Sequence, residues 1–317
     1  MNTLFGLLCF ALGMSVVNAD QVSSNYAKHF DYDQSAPLRI EQVGTRQQNG
    51  VTVEDITYSG GDGDRVPAYL VIPTGKGPFA AVLWGHWMMP GSPYMNRKEF
   101  LAEAIALAPS GVVSLLIDAP MVRPGAKPAA DAETYKHAFR QDVIDLRRGL
   151  DLLLARKDVD ARRIAYVGHS FHAATGGVLA GVDSRPKAFV LMAAGMDSER
   201  LLVSQAEQAK KMREGVGEAA LKQFIASTPW MNPAKYLGEG SKHAPILLQF
   251  GTHDAYMTKE DCDEYASVVS PPKEIKFYAT DHDLNAAARH DRDAWLQEEL
   301  AFQAVDWKAI EAVPQLK

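Results

Sequence analysis

The chain has 317 residues, 47% of them hydrophobic and 23% charged, and carries a formal net charge of −6. That is the composition of a globular protein, and it excludes a disordered, collagen-like or coiled-coil chain. A mildly acidic balance with no run of either sign leaves no electrostatic footprint for nucleic acid.

Residues 4–17 form an apolar stretch without a charge, and Val17-Asn18-Ala19 precedes Asp20. Small residues at 17 and 19 behind such a stretch resemble a signal-peptide cleavage site. Fourteen residues at about 1.5 Å each reach roughly 21 Å, short of the ~30 Å hydrocarbon core of a bilayer. The expectation is therefore a signal peptide over 1–19 and an exported protein, periplasmic or secreted, with no stable membrane anchor after cleavage. Removal of Cys9 leaves Cys262 as the only thiol and allows no internal disulfide, so stability rests on core burial. Residues 20–317 are long enough to supply that core as a single domain.

Along the chain, 51–58 alternates as a strand, Gly60 to Asp64 is dense in turn residues, and 66–72 reads as a second strand. An antiparallel hairpin thus opens the domain. The apolar run 79–84 is of the type buried on both faces of a parallel sheet. A helix over 98–107 and a strand over 111–117 follow. In the helix over 132–156, Phe139, Val143, Leu146, Leu150 and Leu153 share one face. Strands at 163–168, 187–193, 245–250 and 274–279 alternate with helices at 171–180, 259–268 and 286–305. A polar helix over 198–225 begins a helical insertion reaching about 240. The fold class is α/β, a doubly wound, mostly parallel sheet. Ligands of such sheets bind at the carboxyl ends of the strands.

Arg163 to Ala174 carries a strand into Ser170 and then into a helix of small residues. A serine on so tight a turn projects its hydroxyl above the sheet, and the first helical amides face the same space. Gly168 suits the close backbone approach of that turn. With these residues the chain resembles the α/β-hydrolase superfamily, most nearly its dienelactone-hydrolase-like and acetyl-esterase-like branches, over about 51–305. The resemblance implies a nucleophile, acid and base in the order Ser170, Asp254, His282, where Asp254 ends Ile246-Leu247-Leu248-Gln249-Phe250-Gly251-Thr252-His253-Asp254 and His282 follows the last strand. It also implies an oxyanion hole made by the amide of Phe171 and that of Met88, with Trp87 as the fallback, from the segment Trp84-Gly85-His86-Trp87-Met88. The chain departs from the family pattern at His172 and Trp87, which stand where glycines are usual.

Trp87, Trp230 and Met231 are candidates for an apolar substrate pocket, and Arg123 for a grip on a substrate carboxylate, against packing and solvation respectively. His86 and His169 are read as structural neighbours of the site. His86, His169 and His172 do not form a recognised metal-ligand spacing. The expected function is an exported serine hydrolase that cleaves small-molecule carboxylic esters through an acyl-enzyme, without cofactor or metal. A serine peptidase or amidase on the same three residues, and a non-catalytic binding protein keeping the fold, are the alternatives. The sequence sets no oligomeric state.

Overall fold

The computed structural model describes residues 25–126, 131–194 and 198–315. The expected signal segment at 1–19 lies outside them. A single sheet of nine strands organises the chain: β1 (Glu41–Gln48), β2 (Val51–Ser59), β3 (Arg65–Ile72), β4 (Phe79–Gly85), β5 (Val112–Ile117), β6 (Val159–His169), β7 (Ala188–Met192), β8 (Ile246–Gly251) and β9 (Lys273–Tyr278). Their spatial order is β1-β2-β3-β5-β4-β6-β7-β8-β9. The strands β1, β2 and β3 run antiparallel to their neighbours, as does β3 against β5, and all remaining pairs are parallel. The doubly wound, mostly parallel sheet expected from the alternation is the one the chain forms.

Burial follows from the period-2 geometry of the strands. In β4 every residue is buried; Phe79, Ala81 and Leu83 face one core, whereas Ala80, Val82 and Trp84 face the other. The first core lies under helices α2 (Ala132–Ala155), α3 (Phe171–Val182), α6 (Ala234–Gly240) and α7 (Lys259–Ser267). The second lies under α1 (Leu101–Leu107), α8 (Ala286–Leu300) and α9 (Trp307–Glu311). β4 sits between β5 and β6: the chain winds from β4 back to β5 and then crosses over β4 to β6, from where it continues outward through β7, β8 and β9. The winding reverses there, and the carboxyl ends of strands at such a switch point are where open α/β sheets bind ligands.

Three elements differ from expectation. β1 is an additional strand at the sheet edge; its residues are almost all exposed, so no buried face imprints an alternation on its sequence. The opening hairpin is therefore a three-stranded meander. The long polar helix over 198–225 is instead a short 3-10 turn (Ser198–Leu202) and two helices, α4 (Glu207–Val216) and α5 (Glu218–Ser227), divided at Gly217, whose φ of 87° ends one helix before the next begins. The last long helix stops at Leu300, with Ala301 in a left-handed conformation at φ 47°. Among the described residues no helix is long and apolar enough to cross a membrane.

The five apolar residues named on α2 are each no more than 3% exposed. Leu150→Ala should lower the unfolding free energy by about 2–5 kcal/mol in urea titration. Thr134→Ala, on the exposed side of the same helix, should change it by less than about 0.5 kcal/mol.

Candidate active site

Ser170 stands between the last residue of β6 and the first of α3, with φ 55° and ψ −109°. Few non-glycine residues adopt that backbone, and holding one there costs about 1–3 kcal/mol. Two hydrogen bonds fix it: the Ser170 amide donates to the Met192 carbonyl of β7 at 2.8 Å, and the Ala174 amide donates to the Ser170 carbonyl at 3.0 Å. The strand-turn-helix thus presents Oγ above the carboxyl ends of the strands.

The loops after β8 and β9 bring two further residues to it. His282 Nε2 lies 2.7 Å from Ser170 Oγ, and His282 Nδ1 lies 2.8 Å from Asp254 Oδ2. The Asp254 side chain is 1% exposed and that of His282 8%. Asp254 is oriented by its other oxygen, which accepts the Tyr256 amide at 2.7 Å. All three groups are satisfied when the serine hydroxyl donates to Nε2 and Nδ1–H donates to the carboxylate. The Tyr256 ring packs against His282, tilted, with centroids 4.4 Å apart.

The segment after β4 supplies the opposite wall. His86 Nε2 accepts the Ala119 amide at 3.0 Å, which leaves the hydrogen on Nδ1, and Nδ1 donates to the Trp87 carbonyl at 2.6 Å. Burial, with the neighbouring His172, holds the His86 pKa well below the ordinary imidazole value, in keeping with this neutral tautomer. The Trp87 amide donates to Glu99 Oε2 at 2.5 Å. That bond corrects the fallback assignment: the Trp87 N–H is already engaged and is not open to an oxyanion. The Met88 and Phe171 amides donate in none of the hydrogen bonds among the described residues.

His172, where the sequence resemblance called for a glycine, is accommodated because β4 ends in a glycine. A Cβ on Gly85 would lie 2.5 Å from the His172 ring, and one on Gly168 2.4 Å from the His172 carbonyl oxygen. The ring is fully buried, with Nδ1 2.5 Å from the His86 carbonyl oxygen and Nε2 3.2 Å from Asp142 Oδ1. The second approach is out of line for a hydrogen bond, so it acts as an ion pair. Burial opposes charge on this ring, but Asp142 and the His86 carbonyl outweigh it and raise the pKa above the imidazole value of 6.5.

The expected pocket residues are engaged elsewhere. Arg123 is salt-bridged to Asp145 at 2.6 Å and donates to the Asp118 carbonyl, so it does not grip a substrate. Trp87 is 2% exposed and stacks on His169 at 5.1 Å. Trp230 stacks on His29 at 4.7 Å, and Met231 is buried in the same aromatic cluster with Phe30 and Phe139. Cys262 is buried, and burial pushes its thiol up to about 12, which leaves it unreactive. The sequence reading missed Glu99. Nothing in Arg97-Lys98-Glu99-Phe100 sets that carboxylate apart from a solvated one, yet its side chain is 2% exposed.

No protein-family model matches the chain, and no curated protein matches it in sequence. Solved structures do. An acetyl xylan esterase from a Paenibacillus species superposes with a TM-score of 0.70 at 20% identity, covering 90% of this chain and 95% of that one. An acetyl xylan esterase from a Thermoanaerobacterium species gives 0.64 at 15% identity over 90% and 93%. An α/β hydrolase, GrgF, from a Penicillium species gives 0.59 at 16% identity over 79% and 99%. Together with the sheet order, these likenesses show that the chain has the α/β-hydrolase fold.

The raised His172 pKa has a consequence for stability. Its pairing contributes fully below about 6.5, the unfolded value, and is lost as pH rises through the higher folded value. Urea unfolding between pH 6 and pH 9 should therefore show a fall in stability that Asp142→Asn flattens.

Proposed function

We infer that the protein is a serine hydrolase of carboxylic esters, working through an acyl-enzyme intermediate on Ser170. The observation that carries this reading is the pair of contacts running from Ser170 Oγ through the His282 ring to Asp254, at 2.7 and 2.8 Å. An alcohol is a poor nucleophile at neutral pH and needs a base within hydrogen-bond reach. In the proposed sequence His282 Nε2 takes the hydroxyl proton as Oγ bonds to the ester carbonyl carbon. Asp254 holds the ring's tautomer and stabilises its positive charge. The oxyanion is bound by the amides of Phe171 and Met88, which have no other partner among the described residues. Collapse of the adduct breaks the bond to the alcohol, which leaves with the proton from Nε2. Water then attacks the acyl-serine with His282 as base again, releasing the acid and restoring the hydroxyl.

An ester is favoured as substrate because the structural neighbours include two acetyl xylan esterases. Export is part of the proposal and is supported by the residue pattern over 4–19. Ser170→Ala should lower kcat on a short-chain p-nitrophenyl ester by at least about 10⁴-fold. It should also abolish labelling by a fluorophosphonate, which wild-type protein takes up at Ser170. Near-full turnover in this variant would remove the serine from the mechanism. Comparing an ester with its matching amide separates the esterase from a peptidase: the ester is expected to turn over and the amide not measurably, whereas a peptidase would cleave both.

A further inference from the structure

The residue before the serine makes a further buried histidine–carboxylate pair. His169 Nδ1 is 2.5 Å from Glu99 Oε1, and its Nε2 is 2.9 Å from the main-chain oxygen of His282. The other Glu99 oxygen takes the Trp87 amide. Side-chain exposure is 1% for His169 and 2% for Glu99. The His169 ring lies between two others, stacked on Trp87 at 5.1 Å and on His282 at 5.5 Å.

We propose that Glu99 and His169 are positioning residues that lock the segment carrying the Met88 amide to the loop carrying His282, so that the oxyanion donor and the base keep one alignment. This rests on the reading of Ser170, His282 and Met88 given above. A carbonyl oxygen only accepts, so His169 Nε2 carries a hydrogen, and a further hydrogen lies between Nδ1 and Glu99 Oε1. Glu99 therefore ties Trp87 to His169, and His169 ties the pair to His282. With His86 Nδ1 donating to the Trp87 carbonyl, both main-chain polar groups of Trp87 are fixed. The Trp87 carbonyl lies in one peptide plane with the Met88 N–H, so the bond from His86 sets the direction of that donor, and the bond to Glu99 holds the peptide plane before it. A donor misdirected by such a loss acts on the transition state, where the oxyanion exists, and not on ground-state binding.

The geometry also separates positioning from charge. In Glu99→Gln the amide oxygen can still accept the Trp87 N–H, and the amide N–H can donate to Nδ1 of a neutral His169, so every bond survives without the shared proton. Glu99→Ala loses them all. His169→Phe keeps the stack on Trp87 and His282 and loses both ring bonds.

The test measures kcat and KM on p-nitrophenyl acetate, and inhibition by a trifluoromethyl ketone, for the full chain and these variants, with folding checked by thermal melts. Glu99→Ala and His169→Phe should each lower kcat about a hundredfold and weaken the ketone by a similar factor, with KM within about threefold. Glu99→Gln should recover to within about fivefold of wild type, and the double variant Glu99→Ala/His169→Phe should lose no more than either single one. If Glu99→Ala does not fold, His169→Phe and Glu99→Gln carry the same comparison. Unchanged kcat in the folded variants, a loss confined to KM, failure of the Gln rescue, or additive losses would overturn the proposal. Ser170→Ala, assayed alongside, keeps the two readings apart: an active Ser170→Ala overturns the serine mechanism itself, whereas an inactive one beside an unimpaired His169→Phe overturns only the positioning role.

Discussion

The site depends on one unfavourable backbone conformation. Ser170 at φ 55° persists because β6, through Ile164 and Tyr166, and α3, through Ala173 and Leu179, are packed into one core, and because β7 accepts its amide. A turn this sharp sends successive side chains in different directions. His169 points to Trp87 and His282, Ser170 to the crevice, and His172 beneath the end of β4. The same strain that exposes the hydroxyl therefore places a histidine on either side of it, and both reach the segment after β4.

Those two histidines and His86 carry the same side chain in three electrostatic settings. His86 accepts a main-chain amide and is held neutral. His172 faces a carbonyl and a buried carboxylate, and its protonated form is favoured. His169 faces a carbonyl and a carboxylate as well, but through aligned bonds at both nitrogens. What each ring does is decided by the acceptors and donors around it, because solvent is absent from all three positions.

Much of the architecture was legible in the sequence. Parallel strands buried on both faces read as unbroken apolar runs, as in β4, and α2 displays its inner face at helical spacing. That Ser170, Asp254 and His282 would converge was legible for the same reason: each follows a recognisable strand, and the sheet brings strand ends together. β1 left no trace, since an exposed edge strand buries no alternating set. The long polar helix failed because the stop signal inside it, Gly217, was passed over: a glycine tolerated within a helix and one that ends it at φ 87° are the same letter. The roles of Glu99 and Arg123 were hidden for a different reason. A carboxylate or guanidinium has the same appearance in the sequence whether water or a distant partner neutralises it, and those partners, His169 and Asp145, lie far along the chain. The Trp87 amide was misassigned on the same account, because a main-chain donor has no sequence signature at all.

The His282 imidazole has two ring neighbours, His169 stacked 5.5 Å away and Tyr256 tilted 4.4 Å away. Rings this near restrict its turning between a serine-facing and a departing-group-facing rotamer. On the acyl-transfer scheme, one nitrogen in nearly one place must serve both partners in turn. Each arriving or leaving oxygen has to pass through the same narrow sector beside Ser170, which makes approach direction a filter on what the crevice admits.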